Sequence, residues 1–149
     1  MSHHSITRRD FVKATGAAAA AAAFARPAFA EKEPKPIRAA LIGCGGRGTG
    51  AADNCLRSAP GVHLVAMGDV FEDRLKGSRG WLAKNKHAGF RVTDETCFTG
   101  FDAYKRILDL PDIDLVLLTS PPGFRPGHFA AAVAAGKHAF LEKPIAVDP

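Results

Sequence analysis

Read as apolar and polar positions, the chain alternates short apolar runs with longer stretches of helical spacing. The runs are Ile37–Ile42, residues 62–67, Leu115–Leu118 and His138–Leu141. Each is preceded by Pro, Gly, Asp or Lys and is too short for a helix of ordinary length, so strands are predicted. Leu115-Val116-Leu117-Leu118 is the most apolar of them and predicts a central parallel strand, buried on both faces. Between the runs, helices are predicted over residues 48 to about 57, 72 to about 86, 101–108 and 128–135, with a short third strand at 90–92. Pro60-Gly61 ends the first helix and Gly136 stops the last. Trp81 is predicted to pack on the sheet, and Phe101, Tyr104 and Leu108 share a helix face that points into the core. Strand and helix in strict alternation place the chain in the α/β class, as a Rossmann-type doubly wound parallel sheet.

The first thirty residues depart from this pattern. Thr7-Arg8-Arg9-Asp10-Phe11-Val12-Lys13 is a twin-arginine pattern, followed by an alanine-rich segment from Ala14 to Ala25 and by the small-x-small triplet Ala28-Phe29-Ala30. Those three parts, in that order, make an export signal with its cleavage site. The alanines lack the amphipathic period of a core helix and are too few and too weakly apolar to span a bilayer. Residues 1–30 are therefore expected to be a signal peptide, residues 31–36 a charged lead-in, and residues 37–149 the folded domain. The destination is the periplasm, with no membrane anchor in the mature chain. The twin-arginine route carries proteins that have already folded, often around a cofactor.

Composition then removes one class of partner. The net charge of +5 suggests nucleic acid, but Arg8, Arg9, Lys13 and Arg26 against Asp10 place +3 of it in the leader, leaving +2 for the rest. A domain so near neutrality, with mixed signs throughout, has no basic stripe. Cys44, Cys55 and Cys97 show no metal-ligand spacing and no disulfide framework, so no metal is expected and the thiols read as small packed side chains.

The candidate chemistry gathers at the strand ends. Gly43-Cys44-Gly45-Gly46-Arg47-Gly48 follows the first strand and opens the first helix as G-x-G-x-x-G. Gly43 allows the tight turn, Gly45 lets a diphosphate approach the backbone, and Gly48 lets helix and strand pack closely. The N–H groups and dipole at that helix start favour a phosphate, with Gly46 and Arg47 beside it. Asp69 follows the second strand about 20 positions on, where a carboxylate accepts from the adenosine ribose 2′-hydroxyl and repels a 2′-phosphate. NAD is thus expected over NADP, with Arg74 softening the preference. The fourth strand delivers Thr119, Ser120 and Pro121, and the last delivers Glu142, Lys143 and Pro144, to the carboxyl edge where ligands bind. His128 is within reach of a nicotinamide or substrate but reads more simply as a solvated or capping side chain.

Taken together, the glycine turn, the strand ending in Asp69, the Thr119-Ser120-Pro121 loop, Ala135-Gly136-Lys137-His138 and Glu142-Lys143-Pro144 resemble the Gfo/Idh/MocA oxidoreductases across the whole mature chain. The resemblance implies that Lys143 lies near the nicotinamide and the substrate hydroxyl, that Pro144 sets the backbone beside it and that Glu142 orients the lysine. It implies hydride transfer between NAD and a secondary alcohol of a sugar or cyclitol. An ammonium close to a carbinol would polarise its oxygen as hydride leaves the carbon. Some exported relatives instead hydrolyse glycosides through transient oxidation by a retained NAD. A third expectation is a non-catalytic nucleotide-binding module or inactive fragment. Members of the family continue with a last strand and a second α/β domain, which supplies most of the sugar pocket and usually the proton-transfer residue. The chain stops at Pro149, so it is expected to be the amino-terminal portion of such an enzyme, with an uncovered sheet edge, and a homo-oligomer or the missing second domain is expected as its partner.

Overall fold

The computed structural model describes residues 35–147, so the leader read at residues 1–30 lies outside it. Five strands form one parallel sheet: β1 (Ile37–Ile42), β2 (Val62–Asp69), β3 (Cys97–Thr99), β4 (Leu115–Leu118) and β5 (His138–Leu141). Their spatial order is β3-β2-β1-β4-β5. The chain winds outward from β1 through β2 to β3, then returns across the sheet to β4 and β5 on the other side. All four pairings are parallel, so every strand ends on the same edge. The order reverses between β1 and β4, the crevice in which open α/β sheets take their ligands.

Helices α1 (Gly46–Ser58), α2 (Glu72–Lys84), α3 (Ala103–Leu108) and α4 (Arg125–Ala134) make the crossovers. Alternate residues of β1 divide the core. Ala39 and Leu41 pack with Leu64, Met67 and Leu117 beneath α1 and α2, whereas Ala40 and Ile42 pack with Ala66, Val116 and Leu118 against Ala103 and Ile107 of α3 and Ala132 of α4. In β2 the alternation slips once. Ala39 opposes Leu64 but Ala40 opposes Ala66, so Val65 is an extra residue and shares a face with Ala66. That bulge puts Gly68 against α3, where an added Cβ would lie 2.8 Å from Ile107 Cδ1.

Several sequence expectations are corrected. Residues 90–92 do not form the third strand: Phe90 makes a single bridge to Leu64. The chain then turns through Thr93–Thr96, where the Thr93 N–H donates to Thr96 Oγ1 at 3.0 Å. Only beyond that turn does Cys97–Thr99 pair with Met67–Asp69. Helix α1 starts at Gly46, two residues earlier than predicted, because Gly45 is extended and its carbonyl accepts the Thr49 N–H at 2.9 Å. Helix α4 starts at Arg125, three residues early, since Pro126 in the first turn has no N–H to waste. Trp81 faces solvent at 47% exposure, and Phe101 precedes its helix at 69% exposure; of that predicted face Leu108 is buried and Tyr104 packs half-buried against the same core.

Candidate functional site

The glycine turn is built by contacts that exclude side chains at two positions. Gly43 has φ +99°, and a Cβ on it would stand 2.6 Å from Ser120 N and 2.8 Å from Thr119 C. A Cβ on Gly48 would collide with the Gly43 carbonyl and sit 2.5 Å from Thr119 Oγ1. That hydroxyl donates to Gly43 O at 2.7 Å, while the Thr119 N–H donates to Ile42 O at 2.9 Å. Gly43, Gly48 and Thr119 are therefore one knot that holds the start of α1 against the ends of β1 and β4.

Gly45 and Gly46 are different. Nothing lies within 4 Å of a Cβ built on Gly46, and only Arg74 Nη1, at 3.6 Å, approaches one on Gly45. No side chain caps the helix, and no acidic residue occupies its first turn. The start of α1 is thus open at Gly45 and Gly46 and uncapped at the positive end of the helix, where the first N–H groups are the donor set a diphosphate requires.

Asp69, the last residue of β2, is fastened to this turn. Its Oδ2 accepts the Cys44 N–H at 2.6 Å and its Oδ1 accepts the Phe71 N–H at 2.9 Å. An ionised carboxylate has about four acceptor positions, so two remain for ligand hydroxyls. The neighbouring Cys44 thiol donates to Gly68 O at 3.4 Å. Burial first, and the Asp69 charge second, push that thiol up, so it is a neutral packed group and not a nucleophile.

A cavity of about 370 Å³ opens beside these residues, lined by Gly43, Gly45, Asp69, Arg74 and Thr119 to Pro121. Phe71, Phe101, Tyr104, Phe124 and His128 also contribute to its wall. The Tyr104 and His128 rings lie 4.2 Å apart at their centroids, and His128 Nδ1 is 3.0 Å from Ser120 Oγ. His128 is half-buried rather than solvated, and burial pushes its pKa down, which favours a neutral imidazole. Flat aromatic walls with a carboxylate and a helix start at the mouth suit a purine nucleoside carrying a diphosphate.

The remaining group of residues comes from β5 and stands outside that cavity lining. The Glu142 N–H extends the ladder to Leu118 O at 3.1 Å. Glu142 Oε2 lies 2.6 Å from Arg47 Nη2, which ties the exit of β5 to the first turn of α1. Glu142 touches Lys143 through the Lys143 backbone N–H, at 3.2 Å from Oε1, and not through its ammonium. Arg125 Nη1 donates to the Pro144 carbonyl, and Lys143 itself is exposed.

Residues 37–149 match the sequence model of Gfo/Idh/MocA, the oxidoreductase family with an NAD-binding Rossmann fold. The chain belongs to this family. Residues 5–25 match the twin-arginine translocation signal, which directs export across the cytoplasmic membrane. This Gfo/Idh/MocA chain is 30% identical to a glycosyl hydrolase family 109 protein of Solibacter usitatus, in an alignment covering 94% of it and 33% of the relative. Scyllo-inositol dehydrogenase from Lactobacillus casei, solved with NAD(H) and scyllo-inositol, is 29% identical with a TM-score of 0.60, covering 76% of this chain and 30% of that one. KijD10, a 3-ketoreductase from Actinomadura kijaniata solved with NADP, is 26% identical with a TM-score of 0.55, covering 76% of this chain and 32% of that one. The chain spans about a third of the length of the first of these relatives.

Within the Gfo/Idh/MocA chain, the sequence reading left out much of the cavity wall. Phe71, Phe101, Tyr104 and Phe124 line it without having been assigned to it, and His128 and Arg74 had only secondary roles. The signal was available for Phe101: had β3 been placed at 97–99, the rule that ligands sit past the strand ends would have pointed to Gly100 and Phe101.

Proposed function

We propose that this domain holds NAD for an oxidoreductase that moves hydride between nicotinamide and a secondary alcohol carbon of a sugar or cyclitol. The observation that carries the reading is the shared edge. The first turn of α1, Asp69 and the exit of β5 all lie at the carboxyl ends of the strands, and the Arg47–Glu142 pair ties the Lys143 segment to that first turn. NAD supplies the hydride acceptor. The residues present would hold its diphosphate at Gly45 and Gly46, its adenosine ribose at Asp69 and its adenine among the aromatic walls. Lys143 would stand beside the reacting carbinol, donating a hydrogen bond to its oxygen and favouring the alkoxide form as hydride departs to NAD, the hydroxyl proton passing to the proton-transfer residue that the family resemblance places in the second domain. The twin-arginine leader would deliver the folded chain, nucleotide in place, to the periplasm.

The glycosyl hydrolase relative supports a second reading, in which transient oxidation by a retained NAD labilises a glycosidic bond. The two separate in one assay, run on the protein with bound NAD against a panel of inositols, hexoses and aryl glycosides. A lasting rise in NADH absorbance supports the dehydrogenase, and sugar release without net NADH supports the glycosidase. No turnover of any member by the enzyme that carries both this domain and a substrate domain contradicts both.

Cofactor choice gives a separate expected outcome. Asp69→Ala removes the acceptor for the ribose hydroxyl and the repulsion of a 2′-phosphate, leaving Arg74 on the same cavity wall. NAD affinity should fall about tenfold, near 1.4 kcal/mol, and the NAD-to-NADP ratio should shrink by more than that. Titration of both nucleotides reads the result; unchanged affinity for both contradicts the ribose assignment.

A further inference from the structure

Arg125 is the one buried lysine or arginine among the described residues, at 4% exposure, and it occupies the first position of α4. Both circumstances oppose a cation. Burial removes its hydration, and the positive end of a helix repels it. Among the described residues no carboxylate forms an ion pair with Arg125, and its Nε finds no acceptor. A methionine or leucine would fill such a space at lower cost. What the guanidinium supplies, and an apolar side chain would not, is a hydrogen bond from Nη1 to the carbonyl of Pro144, the residue that follows Lys143. On the other side, Glu142 is held by Arg47 at 2.6 Å. Lys143 is thereby bracketed between two anchored neighbours, one tied to the first turn of α1 and one to the first turn of α4.

We propose that Arg125 is a positioning residue for Lys143: it fixes the Pro144 carbonyl and so sets the direction in which the lysine leaves the sheet edge. The proposal rests on the reading that Lys143 stands beside the nicotinamide. Arg47 and Arg125 divide the task, because a single anchor would leave the short segment free to pivot about it. An arginine suits the second anchor since its guanidinium keeps several donors in a rigid plane, whereas a lysine ammonium at the end of a flexible stem would not fix a direction.

The test is pulse acetylation of the protein with acetic anhydride, with and without NADH, read lysine by lysine by mass spectrometry. Exposed Lys84 of α2 serves as the internal reference. At NADH ten times its Kd, full occlusion slows labelling about tenfold, so Lys143 in the native protein should be protected roughly five- to tenfold relative to Lys84. In Arg125→Met the protection should fall below about twofold, while NADH affinity, set at the glycine turn, stays within about threefold. A purely structural Arg125 would lower the melting temperature and leave the protection intact, and that outcome overturns the proposal alone. Absence of protection in the native protein overturns the placement of Lys143, and with it the role given to Arg125. Should Arg125→Met not fold, Arg125→Gln keeps one neutral donor of shorter reach. Protection reduced at least about twofold in that variant supports the proposal, and native protection overturns it.

Discussion

Gly48→Ala is expected to abolish practical NAD binding and to lower the melting temperature by several degrees. The added methyl would meet the Gly43 carbonyl and Thr119 Oγ1, and neither can give way. The Gly43 N–H is bonded to Gly68 O at 2.8 Å and the Thr119 N–H to Ile42 O at 2.9 Å, so both positions are fixed by the sheet. Relief must come from α1 moving outward, at an overpacking cost of about 1–3 kcal/mol. The same displacement takes the helix N–H groups away from the diphosphate, and NAD affinity should fall on the order of a hundredfold, about 2.7 kcal/mol. Gly50→Ala is the control. It lies in the same helix, where a Cβ would meet only Arg47 Nη1 at 4.0 Å. It should bind NAD as the native protein does and gain roughly 0.5–1 kcal/mol from helix propensity. Native affinity in Gly48→Ala would remove the close-packing role assigned to that glycine.

Lys143→Met should act on the other half of the site. With its ammonium polarising the carbinol oxygen, loss of Lys143 should slow hydride transfer by about 10²–10³-fold, the range for removing one donor aimed at developing negative charge. NAD affinity should change less than about threefold, because the diphosphate and ribose contacts lie on α1 and β2. The measurement pairs single-turnover hydride transfer with nucleotide titration on the same preparation. A variant with unimpaired transfer would dismiss Lys143 as the group beside the reacting carbon. A variant with equal losses in both would make it a binding residue only.

The parts of the fold that were legible in the sequence are those where one local pattern decides the outcome. Leu115–Leu118 is apolar at every position because both faces of β4 are covered, and it pairs with β1 and β5 over its full length. The glycine turn was legible because Gly43 and Gly48 answer to backbone constraints that side-chain types reveal directly. Residues 90–92 misled because Val92 is a genuine core residue and Phe90 does touch β2, so the local apolar signal was real. The ladder is nevertheless formed by Cys97–Thr99, after a turn whose cost and gain depend on β2. That error carried through to Phe101 and Tyr104, which look like a core stripe by spacing alone. Phe101 became cavity wall because α3 begins only at Ala103 and leaves it in the preceding turn, whereas Tyr104, within α3, both packs against the core and lines the cavity. Arg125 was beyond sequence reasoning altogether. Its partner lies 19 residues away in the chain and is a backbone carbonyl, which no residue type advertises.

The most direct test is calorimetric titration of the purified, folded protein with NAD and, separately, with NADP. A dinucleotide held by the α1 N–H groups and by Asp69 requires saturable binding of NAD with Kd between about 1 μM and 1 mM, and binding of NADP weaker by roughly tenfold or more. Protein that is folded by circular dichroism and takes up neither nucleotide would contradict the account.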